Sequence, residues 1–490
     1  MTINWFTLTY AVYWGVVLYV TVQIIHQYTI SSRASAWLFT IYVFPVVGVG
    51  LYFIFGVKRR KRKIYQQKLS SDQKSLEHYL SLFPDETKGG NMELPEALHP
   101  FSGLTEMIVR DGCSRLTAYN QVTLLENGEE KFPRLLKDIQ AATQSIHLEY
   151  YIFRFDQVGN ELLQALICKV KEGVTVRFIY DDYGSLGLNQ SVLKRMRAHG
   201  IEAWPFSELS LFAFTDRLNY RNHRKIVVID GQIAYIGGIN VGNEYHNELT
   251  EGASDNQPFW RDSHLRIKGQ AVAYLQSIFI NDWNFCTSQQ VAIDDTLGVD
   301  GQLPESGDQK LIQVLSSGPD SPQPTILFAM LQAIHAARDE ILITTPYFLP
   351  NPAMTKALKI AVLSGVTVKV LVPHNSDNWV VNAAAQSYYY ELLEVGVEFY
   401  KYTNGFIHAK TMVIDGYLSV MGTANFDERS FELNFEVNVM IYDHSFAEQL
   451  RDSFARDCTR AKQLNVNAWE SRSAVKIFVE KLARLISPIL

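Results

Sequence analysis

Two stretches, NHRKIVVIDG (Asn222–Gly231) and IHAKTMVIDG (Ile407–Gly416), repeat the pattern His-x-Lys-x-x-x-x-Asp-Gly. In each, β-branched residues cluster and an Asp-Gly turn closes the run. His223 to Asp230, and its counterpart, are therefore expected to form strands that end in a turn. A period of two places His223 and Lys225 on one side of the strand, and His408 and Lys410 likewise. Asp230 and Asp415 have the opposite parity and sit at the turn. They complete the motif set taken as catalytic, although their expected work is to organise the turn rather than to react.

Working outward, the same duplication extends along the chain. SIHLEYYIF (Ser145–Phe153) is answered by EILITTPYF (Glu340–Phe348), and EGVTVRFIYDD (Glu172–Asp182) by SGVTVKVLVPH (Ser364–His374), in the same order. A repeat of such long period means two similar lobes rather than a solenoid. β-Branched runs alternate with helical stretches such as NELLQALICKVKEG, the βαβ pattern. The expected class is α/β: two pseudo-duplicated lobes of mixed, largely parallel sheets flanked by helices.

Two imidazoles and two ammoniums, one pair per lobe, suit phosphodiester chemistry. One histidine attacks phosphorus and splits the displacement in two. The other protonates the departing alcohol and deprotonates the incoming one. The lysines neutralise the non-bridging oxygens as charge builds. Lysine is no zinc ligand and the carboxylates face elsewhere, so neither a metal nor another cofactor is expected.

The setting is a membrane. Two uncharged apolar runs, Trp5–Ile25 and Trp37–Val57, each reach the length of a bilayer-spanning helix. The first lacks a basic leader and a small-residue cleavage site, so it is expected to remain as an anchor. Six consecutive basic residues, Lys58–Lys63, follow the second run, while the connecting loop carries only Arg33. The positive-inside rule then puts both termini and the catalytic region in the cytoplasm. The same block suits an anionic lipid surface. Net charge is −6 despite that block, which argues against nucleic acid as a partner. Four scattered cysteines indicate neither a disulfide framework nor a zinc site.

The motifs with their flanks, HRKIVVIDG with GGINVGNEY and HAKTMVIDG with GTANFDERS, resemble the two HKD motifs of the phospholipase D superfamily. With the apolar runs, the basic block, WRDSHLRIKG, TPYFLP and NFEVNVMIYD, the chain is similar to the bacterial cardiolipin synthases of that superfamily. The resemblance covers nearly the whole chain from about Trp5. It implies phospholipase D-like lobes and transfer of a phosphatidyl group between two phosphatidylglycerol molecules, giving cardiolipin and glycerol. It also implies His223 as nucleophile and His408 as acid/base, an order that two nearly symmetric motifs do not fix by themselves.

The resemblance further implies that Asn240 and Asn425 donate to phosphate oxygens, with a local turn cap as the alternative. Asp262 and Glu436 are implied to bond the far nitrogens of the histidines. The first motif has Gly237-Gly238 where many superfamily members have Gly-Ser, whereas Thr423 supplies a hydroxyl on the other side. The expected organisation is an anchor over residues 1–57, a basic segment and linker over 58–110, lobes over 111–310 and 311–465, and an amphipathic helix over 466–490. That tail suits either the membrane interface or packing on the lobes. Residues 207–222 read equally as a lipid entry lip or as core. The sequence leaves homo-oligomer formation open.

Overall fold

The Asp-Gly turns decide the strand order. In this computed structural model, which describes residues 5–27, 31–52, 68, 95–112, 114–206, 220–250, 258–287, 289–292 and 309–486, Ile226–Ile229 turns at Asp230 and pairs antiparallel with Ile233–Gly237. Thr411–Ile414 does the same with Leu418–Gly422. A turn this short permits only an antiparallel partner. Asp230 and Asp415 adopt positive φ, 53° and 51°. Their carboxylates accept three backbone N–H bonds each, from Thr143, Gln144 and Ser145 in one half and from Arg338, Asp339 and Glu340 in the other. Each aspartate thus pins the start of the neighbouring strand, Ser145–Tyr150 or Glu340–Thr344.

Among the described residues these pairs belong to one fifteen-stranded sheet within the larger of two compact units. The order is pseudo-symmetric about its centre, where Thr117–Glu126 meets Lys310–Ser317 antiparallel. On each side the sequence of strands repeats: Ser263–Lys268 or Glu436–Tyr442, the two hairpin strands, then the strands beginning at Ser145 or Glu340, Thr175 or Thr367, and Glu202 or Glu398. Asn120 closes the irregular central register, donating to the Lys310 carbonyl at 3.0 Å and accepting from Ala271 N at 2.8 Å.

The expectation of largely parallel sheets is corrected. Only the outer three homologous strands of each half are parallel. The inner pairings are antiparallel because hairpin turns, not helical crossovers, connect the motif strands. The strands are also shorter than expected. His223–Lys225 and His408–Lys410 lie on extended backbone just before them.

The N-terminal helices belong to a separate unit. Helix Trp5–Gln27 contains Leu8–His26, a stretch long and apolar enough to cross a membrane. Among the described residues it is the only such helix. The second apolar run is not one helix there: Ser31–Val43 stops, Phe44 leaves helical geometry (φ −120°, ψ 73°), and Pro45–Leu51 restarts. Proline disfavours helical geometry in the residue before it, which accounts for the break. Residues 53–57, the basic block and most of the 207–222 segment lie outside the described residues.

Asp415→Ala removes three charge-assisted backbone bonds and leaves alanine at positive φ. It is expected to destabilise the sheet unit by about 2–4 kcal/mol, read as a lower thermal midpoint, with Asp415→Asn milder. An unchanged midpoint in the alanine variant would remove the bracing role.

Candidate active site

Each motif histidine is held by the opposite half of the sheet. His223 N donates to the Phe435 carbonyl at 2.9 Å, and its ring Nδ1 lies 3.0 Å from both oxygens of the next residue, Glu436. His408 N donates to the Arg261 carbonyl at 2.7 Å, and its Nδ1 lies 2.7 Å from Oδ2 of the next residue, Asp262. Short parallel pairings carry both contacts: Asn222 with Phe435, and Phe406–Ile407 with Trp260–Arg261. Backbone register therefore delivers a carboxylate to each imidazole, fixing its tautomer and leaving Nε2 to face the site. Nε2 of His223 has no protein partner among the described residues, whereas that of His408 is 3.2 Å from Lys410 Nζ.

The site is dry. Glu436, Asp262 and Lys225 are fully buried. Burial opposes ionisation of both carboxyls. Even so, His223 and Lys225 hold Glu436 below its ordinary value, and Lys410 and His408 hold Asp262 below its own. Burial, followed by Lys410, pulls His408 down to about 4. His223 is lowered by burial, partly offset by Glu436. Burial likewise brings the ammonium of Lys225 down to about 7 and that of Lys410 to about 8. Each lysine donates to the carbonyl of its own histidine, Lys225 at 2.7 Å and Lys410 at 2.5 Å. Two buried cations that repel each other in a low-dielectric site attract a phosphodiester anion.

The supporting residues divide. The Thr423 hydroxyl donates to Glu436 Oε2 at 2.6 Å, so it secures the carboxylate. Its counterpart is Gly238, where a Cβ would lie 2.2 Å from Asp262 Oδ1. The shorter aspartate approaches the backbone where the other half has a hydroxyl, so the departure from Gly-Ser follows from close packing. The Asn240 side chain is committed within the protein and is not a local turn cap: Oδ1 accepts from Ile152 N, 88 residues away, and Nδ2 donates to Tyr245 Oη. Buried Asn425 keeps Oδ1 without a protein partner among the described residues. Asp230 and Asp415 stand at the far ends of the motif strands, so the structure removes them from the reacting groups and keeps them as braces.

Three residues at the site were not singled out from sequence. Asn434 Nδ2 donates to Glu436 Oε1 at 3.2 Å. The Tyr151 ring packs edge-on against His223 at 5.0 Å with Lys225 beneath it, and Trp260 lies 5.2 Å from His408. Trp260 and Asn434 each precede an acidic partner by two residues, so strand parity carried a signal for both. Glu149, left without a role, accepts from Asn222 Nδ2 under the first histidine; burial and then Asp282 raise its pKa well above the ordinary value.

The chain resembles a crystal structure of phosphatidylserine synthase from Haemophilus influenzae, with a TM-score of 0.58 and 15% identity, over 76% of this chain and 95% of that one. This likeness concerns the fold. A family model described as "Cardiolipin synthase, PLD-like domain" matches residues 135–283 and 330–458, which makes the duplicated sheet a phospholipase D-like one. Cardiolipin synthase from Geobacillus sp. (strain WCH70) is 38% identical over 459 residues, 94% of this chain and 89% of that protein. Cardiolipin synthase from Listeria monocytogenes is 39% identical over 464 residues, 94% of each. The chain belongs to the cardiolipin synthase family.

Two substitutions test the carboxylate supports. Gly238→Ala forces Asp262 away from His408 and is expected to lower turnover at least about a hundredfold, with the fold retained by circular dichroism. Thr423→Val removes one donor from Glu436 and is expected to cost about tenfold in kcat. Wild-type rates in either variant would mean that the carboxylate contact does not orient the ring.

Proposed function

We infer that this chain is a phosphatidyltransferase that makes cardiolipin and glycerol from two molecules of phosphatidylglycerol. The observation that supports this most is the pair of imidazoles, each anchored at Nδ1 by the other half, with a buried lysine on the carbonyl of each. In the first step His223 Nε2 attacks phosphorus, and His408, whose protonated form the bound phosphodiester anion favours over the low value of the free site, protonates the glycerol oxygen that leaves. In the second, His408 takes the proton from the terminal hydroxyl of another phosphatidylglycerol. That oxygen attacks phosphorus, and the bond to His223 breaks. His223 Nε2 has no protein partner among the described residues, whereas Lys410 Nζ lies 3.0 Å from Nδ1 and 3.2 Å from Nε2 of His408, and this asymmetry favours the order. Asn425 has a side-chain oxygen without a protein partner among the described residues, which can accept from a glycerol hydroxyl of bound lipid.

The same reading divides the chain into an anchor (1–57), a basic linker (58–110), lobes over 111–310 and 311–465, and a terminal helical segment (466–490). It places two spans in the cell membrane, the catalytic region on the cytoplasmic side and the basic block against anionic headgroups.

The test is the purified chain with phosphatidylglycerol as sole substrate, chelator present and nucleotide absent. Cardiolipin and glycerol in equal amounts are expected, and none from His223→Ala or His408→Ala. Phosphatidic acid without cardiolipin would make water the acceptor, and loss of activity with chelator would overturn the metal-free mechanism.

The lysines predict the pH profile. The free site loses its ammonium charge as pH rises through about 7 to 8, and a bound phosphodiester favours the charged form. kcat/KM is therefore expected to fall above about pH 8, with the fall in kcat displaced to higher pH. A kcat/KM that stays flat into the alkaline range would show that the lysines need no charge.

A further inference from the structure

The helix Ala474–Ile486 is turned inside out for a surface helix. Its exposed side carries Val475 (74% exposed), Phe478 (68%), Val479, Leu482 and Leu485 (75%), while Glu480 is 3% exposed and faces the protein with Ala483. At 3.6 residues per turn the five exposed apolar residues occupy about 120° of the circumference. A helix packing on a core shows the opposite arrangement, with its apolar stripe inward.

Polar contacts fix this orientation. Arg472 Nη1 pairs with Glu480 at 2.6 Å and lies over the Trp469 ring at 3.7 Å. Arg484 pairs with Glu391 at 2.9 Å and lies over Tyr388 at 3.9 Å, both on helix Trp379–Leu393, against which the terminal helix packs. The attachment is made by charged and aromatic groups, and the apolar stripe is left outward.

We propose that this stripe docks onto an anionic lipid surface, as a membrane contact additional to the N-terminal span. Lys476 and Lys481 are exposed and border the stripe on opposite sides. Lysines so placed lay their carbon stems along the interface and set their ammoniums among headgroup phosphates. A protein partner would give those flanking charges no such uniform anionic plane. The chain carries a candidate membrane span, so a bilayer is within reach of its other parts. Ile360 (53% exposed) and Leu363 (75%) add apolar surface on helix Pro352–Leu363. Lys359, beside Ile360, pairs with the same Glu391 that holds Arg484. The proposal does not depend on which lipid is the substrate.

The test places the photoreactive analogue p-benzoylphenylalanine at position 478 of the full chain, reconstituted in phosphatidylglycerol-containing vesicles, and at exposed Asp452 as a control. Mass spectrometry then reads what each position captures. Phospholipid adducts at 478 at least about fivefold above the control are expected, falling when Lys476→Gln and Lys481→Gln are combined or when phosphatidylcholine replaces the anionic lipid. Peptide adducts, from another copy or from the chain's own N-terminal helices, would overturn the proposal. So would equal lipid capture at both positions, or solvent adducts alone. Retained turnover in the position-478 protein shows that it is folded. A lipid adduct without cardiolipin synthesis would sink the transferase reading and leave the docking surface standing.

Discussion

The interaction on which the rest depends is the crossed pairing of imidazole and carboxylate. His223 reaches Glu436, and His408 reaches Asp262, each across the midline of the sheet. A neutral imidazole in a buried site needs a partner for Nδ1 to hold one tautomer. By taking that partner from the opposite half, each ring makes the two halves one site. Neither half is complete alone, which explains why the halves share a continuous sheet instead of meeting as separate bodies.

The sheet geometry follows from the same demand. Antiparallel strands around the midline bring Phe435–Glu436 and Arg261–Asp262 beside the motif segments through main-chain bonds, so position rests on backbone register and not on flexible side chains. Asp230 and Asp415 act at a distance: they pin the strand starts next to the motif turns, and the motif segments emerge at the other end. The half-sites are similar but not identical. Where one uses the Thr423 hydroxyl and a glutamate, the other uses a bare glycine and a shorter aspartate, and both arrive at a carboxylate against Nδ1.

Burial sets the chemistry of these groups. The lysines are far enough from water that their ammonium form is only weakly held until a phosphate anion arrives, so charge and substrate enter together. The terminal helix shows the reverse economy at the surface: Glu480 is turned to the protein while Val475, Phe478, Val479, Leu482 and Leu485 face the outside.

Much of this was legible in the sequence because the signals were local. The duplicated motif, its period-two parity, the Asp-Gly turns and the apolar N-terminal runs are all read over a few residues, and they single out His223, Lys225, His408 and Lys410. Asp262 and Glu436 came through family likeness, but which histidine each would serve did not, since that pairing is set by strand neighbours more than a hundred residues apart. The sheet's largely antiparallel centre, the spent side chain of Asn240, and the support given by Asn434, Tyr151 and Trp260 also waited for the tertiary structure. The sequence by itself determined which side chains the site would draw on, because the repeated His-x-Lys spacing is read over three residues, but it did not say which histidine is the nucleophile. Only the tertiary structure decided the partnerships, because hydrogen-bond register across a sheet depends on contacts that no local stretch encodes.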